Sequence, residues 1–134
     1  MTGALAKFIR MLGWWSHESH RSVILKNMDE RPLVYITHRE HHSNQTMWLE
    51  SLAEMRIIPA LPGDEIDLNW LEKDLAKESK RKVKLASVTA ASNVTGITTP
   101  FRDVAKLMHD NDGWCFVDFA ARLVSRKRRK PCCL

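Results

Sequence analysis

The chain lacks any long apolar run. None of its 134 residues belongs to a stretch approaching the roughly 20 consecutive apolar residues that a membrane span requires. Its N-terminal segment carries Lys7 and Arg10 inside the first apolar stretch, so the signal-peptide pattern is missing too. The expectation is an intracellular, cytoplasmic protein. Cysteine is scarce. Cys115 stands alone in an apolar run, and Cys132 and Cys133 adjoin the C-terminus, which gives neither a disulfide framework nor the paired spacing of metal ligands. Acidic residues are absent from 122 to 130, where Arg122, Arg126, Lys127, Arg128, Arg129 and Lys130 carry six positive charges against a net charge of +5, leaving −1 on the rest. The remainder is near neutral, which argues against a folded basic face that reads nucleic acid. A cysteine is also missing where Pro131 stands, excluding a prenylation box, so membrane attachment is expected only if Cys132 or Cys133 carries palmitate beside the basic run. Residues 122–134 thus read as a basic, disordered tail and residues 1–121 as one domain, long enough for a single core.

What is present is a regular alternation of elements. Residues 4–12 put Leu5, Phe8, Ile9 and Leu12 on one helical face, with Gly13 as the stop. Residues 22–27 read as strand or loop, and 33–37, "LVYIT", as a buried strand. Trp48, Leu52 and Met55 recur at helical spacing over 46–55, and "MRIIPAL" is a strand shortened by Pro59. Asp67 is placed to cap a helix lined by Leu68, Leu71 and Leu75. Residues 83–90 form a strand. Thr99 reads as the N-cap, and Pro100 as the first residue, of a helix with Phe101, Val104, Ala105 and Met108 at core spacing. Gly113 ends it before a last strand, 114–119, apolar except for Asp118. Strand and helix in alternation predict an α/β fold with a mainly parallel sheet. Such sheets bind ligands along the carboxyl edge of their strands, and the residues at those strand ends are His41, Asn93 and Asp118.

A ring, an amide and a carboxylate converging on one edge suit a planar heteroaromatic cofactor. Each also has a plainer reading. His41 can cap a loop, Asn93 can be a turn residue, and Thr2, at the start of the first helix, can be an N-cap. A carboxylate inside an apolar strand is costly unless paired, which favours a ligand role for Asp118. The cluster His38, His41 and His42 is not expected to bind metal, since the helical two-histidine motif with its glutamate is absent. Trp14, Trp15, His17 and His20 read as packing and loop residues, and Met47, Trp48, Met55 and Trp70 as core.

In order and spacing, "EHHSN" (40–44), "SNVTG" (92–96) and "VDFAA" (117–121) resemble the class V aminotransferases and cysteine desulfurases, which are pyridoxal-phosphate enzymes of the aspartate-aminotransferase fold. The resemblance runs from Thr2 to Ala121 and covers the middle of that fold's large domain. It implies that Thr2 contacts the cofactor phosphate, His41 stacks on the pyridine ring, Asn93 bonds the phenolic oxygen and Asp118 pairs with the ring nitrogen. It also implies an amino-acid substrate and a homodimer, or a heterodimer with a complete family member. Two departures follow. Ala121 stands where the desulfurases carry glutamine. The family's cofactor-linking lysine lies beyond the aspartate motif, where this chain offers only Lys127 and Lys130 of the tail, so covalent attachment of pyridoxal 5'-phosphate is not expected. The chain is thus expected to be a fragment that keeps part of the cofactor pocket; the alternatives are a non-catalytic partner subunit or an interaction protein tethered by its tail.

Overall fold

A computed structural model describes residues 2–92 and 94–119, the side chain of Thr2 excepted. Asn93, Ala121 and the basic tail lie outside the described residues. Among the described residues five helices and four strands follow one another, alternating from α2 onwards: α1 (Thr2–Met11), α2 (Glu18–Asn27), β1 (Leu33–Thr37), α3 (His42–Glu50), β2 (Glu54–Ile58), α4 (Leu68–Lys77), β3 (Lys84–Thr89), α5 (Phe101–Asp110) and β4 (Trp114–Asp118). Among the described residues no helix is long and apolar enough to cross a membrane.

The four strands form one parallel sheet in the order β2-β1-β3-β4. The central strands β1 and β3 are buried along their whole length, as near-continuous apolar runs in a parallel sheet require. Side chains alternate between two layers. Leu33, Tyr35, Ala86 and Val88 face Leu71 and Leu75 of α4 and Val104 and Met108 of α5. Val34, Ile36 and Leu85 face Ile9 of α1 and Trp48 of α3. Phe8 of α1 meets Phe116 of β4 with ring centroids 4.5 Å apart. Strand pairing puts Ile36 beside Ser87, and Thr89 beside Asp118, so all carboxyl ends lie along one edge.

The outer edge of β2 is protected by charge, one of the ways sheets avoid pairing with strangers. Arg56 bonds Glu54, Asp74 and Glu78, and Arg81 bonds Glu54 and Glu78, all at 2.7–3.0 Å.

Four expectations are corrected. Residues 22–27 belong to α2, a helix that buries none of its residues. Its β-branched run is overridden by a local cap, in which the ring of His17 accepts the Ser19 N–H. Helix α3 begins at His42 and ends at Glu50, and Met55 lies in β2. Pro100, not Thr99, is the N-cap of α5 and makes no side-chain bond. Thr99 is still tied to the end of β3, its N–H donating to Ala90 O at 3.0 Å, so the helix starts one residue later and the Thr99 hydroxyl is buried unpaired. Finally, the strand that carries Asp118 does not enclose it: among the described residues β4 stands at an edge of the sheet, with Trp114 53% and Phe116 41% exposed. Asp118 is accordingly half-buried.

Candidate cofactor site

The turn leaving β1 carries a dense polar cluster on the carboxyl edge. Oε1 of Glu40 accepts the Thr37 hydroxyl at 2.7 Å and the Thr89 N–H at 2.8 Å, and Oε2 accepts the Asn44 amide at 2.7 Å. Asn44 Oδ1 in turn accepts the Trp48 indole N–H at 2.9 Å and the Ser87 hydroxyl at 3.0 Å. Burial raises the Glu40 pKa, and the bonds from Thr37, Thr89 and Asn44 pull against it.

His41 follows directly. Its Nδ1 accepts the Ser43 N–H and lies 2.8 Å from the Ser43 hydroxyl, so the ring caps α3 while remaining exposed. The capping role and a face open to a ligand are compatible, because the cap uses one edge nitrogen only. His38 turns away to Asp64, 2.5 Å distant, which Arg39 also contacts at 3.2 Å. The bond from His38, helped by the charge of Arg39, holds the Asp64 carboxyl below its ordinary value.

Between α1 and the sheet lies a cavity of about 270 Å³, walled by Ala4, Leu5 and Phe8 of α1, Asn44, Ser87, and Phe116, Val117 and Asp118 of β4. This is slightly below the roughly 300–1,000 Å³ of pockets that enclose drug-sized ligands, as suits a single substituted ring. Ala4 and Leu5 belong to the first turn of α1, where unpaired backbone N–H groups favour an anion. The strand end is fixed by the Ala90 N–H donating to Asp118 O at 2.7 Å. Nearby, burial pushes the Cys115 thiol up to about 11, so it is not a thiolate nucleophile at neutral pH.

Of the four residues singled out in the sequence, Asp118 lines this cavity, Thr2 opens the helix whose first turn walls it, and Asn93 lies outside the described residues. His41 is placed on the same edge beyond β1. Strand β3 separates β1 from β4, which spaces their axes by roughly 10 Å. Missed from the sequence were Asn44 and Ser87 as wall residues and Glu40 as their anchor. The spacing of Glu40 and Asn44 at i, i+4 was visible, but the partners on β3 were not.

Residues 19–129 match the family model described as Aminotransferase class-V. The chain belongs to the class V aminotransferase family. It is 32% identical over 91 residues to a cysteine desulfurase of Escherichia coli O7:K1, an alignment covering 65% of this chain and 21% of that protein. Among solved structures, the NifS-like protein of Rickettsia africae superimposes with a TM-score of 0.55 at 22% identity, over 74% of this chain and 27% of the other. Serine palmitoyltransferase from S. paucimobilis, solved with bound PLP and myriocin, gives 0.54 at 17% identity, over 70% and 23%. These neighbours share the PLP-dependent transferase fold with the class V chain, in part. The chain spans 13–27% of the length of the first curated relatives it matches. Membership of the class V family implies pyridoxal phosphate as cofactor. Asp118, Ala4 and Leu5 of the first turn of α1, and the rings of Phe8 and Phe116 line one small, mostly apolar cavity, a setting that fits a substituted ring beside a carboxylate.

Proposed function

We propose that the chain forms one side of the pyridoxal 5'-phosphate site of a class V transferase acting on an amino acid, and that these residues hold the cofactor without a covalent link. The reading is supported chiefly by one observation: the carboxylate of Asp118 and the first turn of α1 share a single cavity. Asp118 would hold a proton on the ring nitrogen. Thr2, first residue of α1, would hold the phosphate with the backbone N–H groups behind it. His41 would lie over the ring and shield it from water, and Asn93 would donate to the phenolic oxygen. When bound, the cofactor supplies an electron sink for the substrate amino acid, deeper when its ring nitrogen is protonated. Ala121 in place of the desulfurases' glutamine favours a transferase reading over a desulfurase one.

Titrating the full chain with pyridoxal phosphate and following its visible absorbance tests this. Saturable binding is expected, weakened at least about tenfold in Asp118→Asn, the loss of one charge-assisted hydrogen bond. Borohydride treatment is expected to leave the mass of the chain unchanged. Equal affinity in the variant would remove Asp118 from the site, and a mass increase by the reduced cofactor would overturn the non-covalent reading.

A second reading, a non-catalytic subunit paired with a complete family member, is favoured by the apolar surface of β4 and its end, where Trp114, Phe116 and Phe119 are 41–53% exposed. Family enzymes are often dimeric. Stable co-purification with a longer class V protein, lost in Trp114→Lys, would support it.

A further inference from the structure

Glu40 is not among the residues assigned to the cofactor, yet three elements meet at its side chain. One oxygen takes donors from the ends of β1 and β3, the other from the first turn of α3. The polarity of two of these bonds is fixed. The Thr89 N–H and the Asn44 amide nitrogen can only donate. Asn44 cannot turn its oxygen towards Glu40, because that oxygen accepts the Trp48 indole N–H, itself only a donor, and the Ser87 hydroxyl. The bonds therefore run one way, from the buried indole through Asn44 to position 40, and an acceptor is required at both oxygens there.

We infer that Glu40 is a positioning residue: an ionised carboxylate that locks the loop bearing His41, and the Asn44–Ser87 wall of the cavity, onto the carboxyl ends of β1 and β3. The loop is held at both ends, since Glu40 is bonded to the sheet and the next residue caps α3. Asn44 and Ser87 line the cavity with Asp118, so releasing the lock loosens that wall and the seat of His41 together. The consequence for the cofactor rests on the proposed site; the lock itself does not.

The test uses the full chain labelled with 15N at its five tryptophans, the Trp48 indole resonance being assigned from Trp48→Phe. In Glu40→Gln an NH2 group must face either the Thr89 N–H or the Asn44 amide, donor against donor. The Trp48 indole resonance is expected to move, and affinity for pyridoxal phosphate to fall at least about tenfold, the scale of one hydrogen bond to a charged group. Glu54→Gln removes a carboxylate at the opposite, amino end of the sheet and is expected to lower stability while leaving both readouts in place. An unmoved Trp48 resonance in folded Glu40→Gln overturns the lock, and an unchanged cofactor affinity where the parent chain binds overturns its positioning of the cavity wall. Should Glu40→Gln not fold, the carboxyl 13C shift of Glu40 in the parent chain decides: an ionised position at neutral pH supports the inference and a neutral acid refutes it. If the parent chain binds no pyridoxal phosphate while the Trp48 shift appears, the cofactor reading falls and the lock stands.

Discussion

Replacing Trp48 with phenylalanine probes the packing and polarity of this edge together. Trp48 is fully buried between α1 and the sheet, against Ile9, Val34, Ile36 and Leu85. Phenylalanine removes the indole N–H bond to Asn44, about 1 kcal/mol, and leaves a void where the second ring was, about 1–2 kcal/mol more. The expected loss is about 2–3 kcal/mol, a large share of the roughly 5–15 kcal/mol stability of a domain. Asn44→Ala is expected to cost about 3 kcal/mol, because it leaves the buried indole N–H without an acceptor and Glu40 with one donor fewer. In the double variant no indole N–H remains to be orphaned. The two losses should therefore fall short of additivity by at least about 1 kcal/mol. Urea unfolding followed by circular dichroism, which does not depend on the deleted indole, measures all four corners of the cycle. Additivity within about 0.5 kcal/mol would show that Trp48 and Asn44 act independently and would refute the one-way chain of bonds.

Two further outcomes follow from geometry elsewhere. Bonds from Arg56 and Arg81 hold the Glu78 carboxyl below its ordinary value, and the same two arginines, outweighing burial, do so for Glu54. The stability they contribute is thus present above the unfolded carboxylate pKa and lost as pH falls through the lower folded values. Glu40 has the opposite sign, its raised pKa lowering stability as pH rises from the unfolded to the folded value. Thermal melts below about pH 4.5 should accordingly show an acid limb that is shallower in the double variant Glu54→Gln, Glu78→Gln, and an unchanged limb would exclude the network as its source. At Gly113 a Cβ would approach the Met108 side chain to 2.6 Å and the Lys84 and Met108 carbonyls to 3.2 Å. Gly113→Ala is therefore expected to cost about 1–3 kcal/mol by overpacking in the same urea assay, and a neutral result would mean that α5 and β4 can separate freely.

How much of this the sequence disclosed depends on where each element finds its partners. Strands β1 and β3 were legible because a parallel strand covered on both faces must be continuously apolar. Helices α4 and α5 were legible because Leu71, Leu75, Val104 and Met108 recur at helical spacing, and the Asp67 carboxylate does accept the Trp70 N–H. Helix α2 was not, since it buries nothing and therefore carries no apolar period to read, while histidine is an uncommon cap. The opening of β4 was not legible either. "WCFVDF" is as apolar as an interior strand, and only the order of strands puts it at an edge. For the site, the family resemblance named Asp118, which lines the cavity, and His41, at the cap of α3, whereas Glu40 depends on an N–H that is 49 residues away in sequence and is brought there by strand register.

The same contrast explains why the polar groups of this edge are distributed as they are. A parallel sheet ends in a row of strand termini whose backbone groups have no further ladder partners, and buried ones must be paired. At β1 and β3 the need is met by side chains that follow the strands: Glu40 takes the Thr89 N–H, and the Thr89 hydroxyl donates to Ala91 O at 2.8 Å. At β4 the Asp118 carbonyl takes the Ala90 N–H, which fixes the backbone of the edge strand where Asp118 lines the cavity. The Glu40 carboxylate is thus held by donors on both oxygens, which ties the loop after β1 to the sheet. Which group closes the end of a strand on this edge is therefore set by strand register, which brings the Thr89 N–H to Glu40 and the Ala90 N–H to the Asp118 carbonyl.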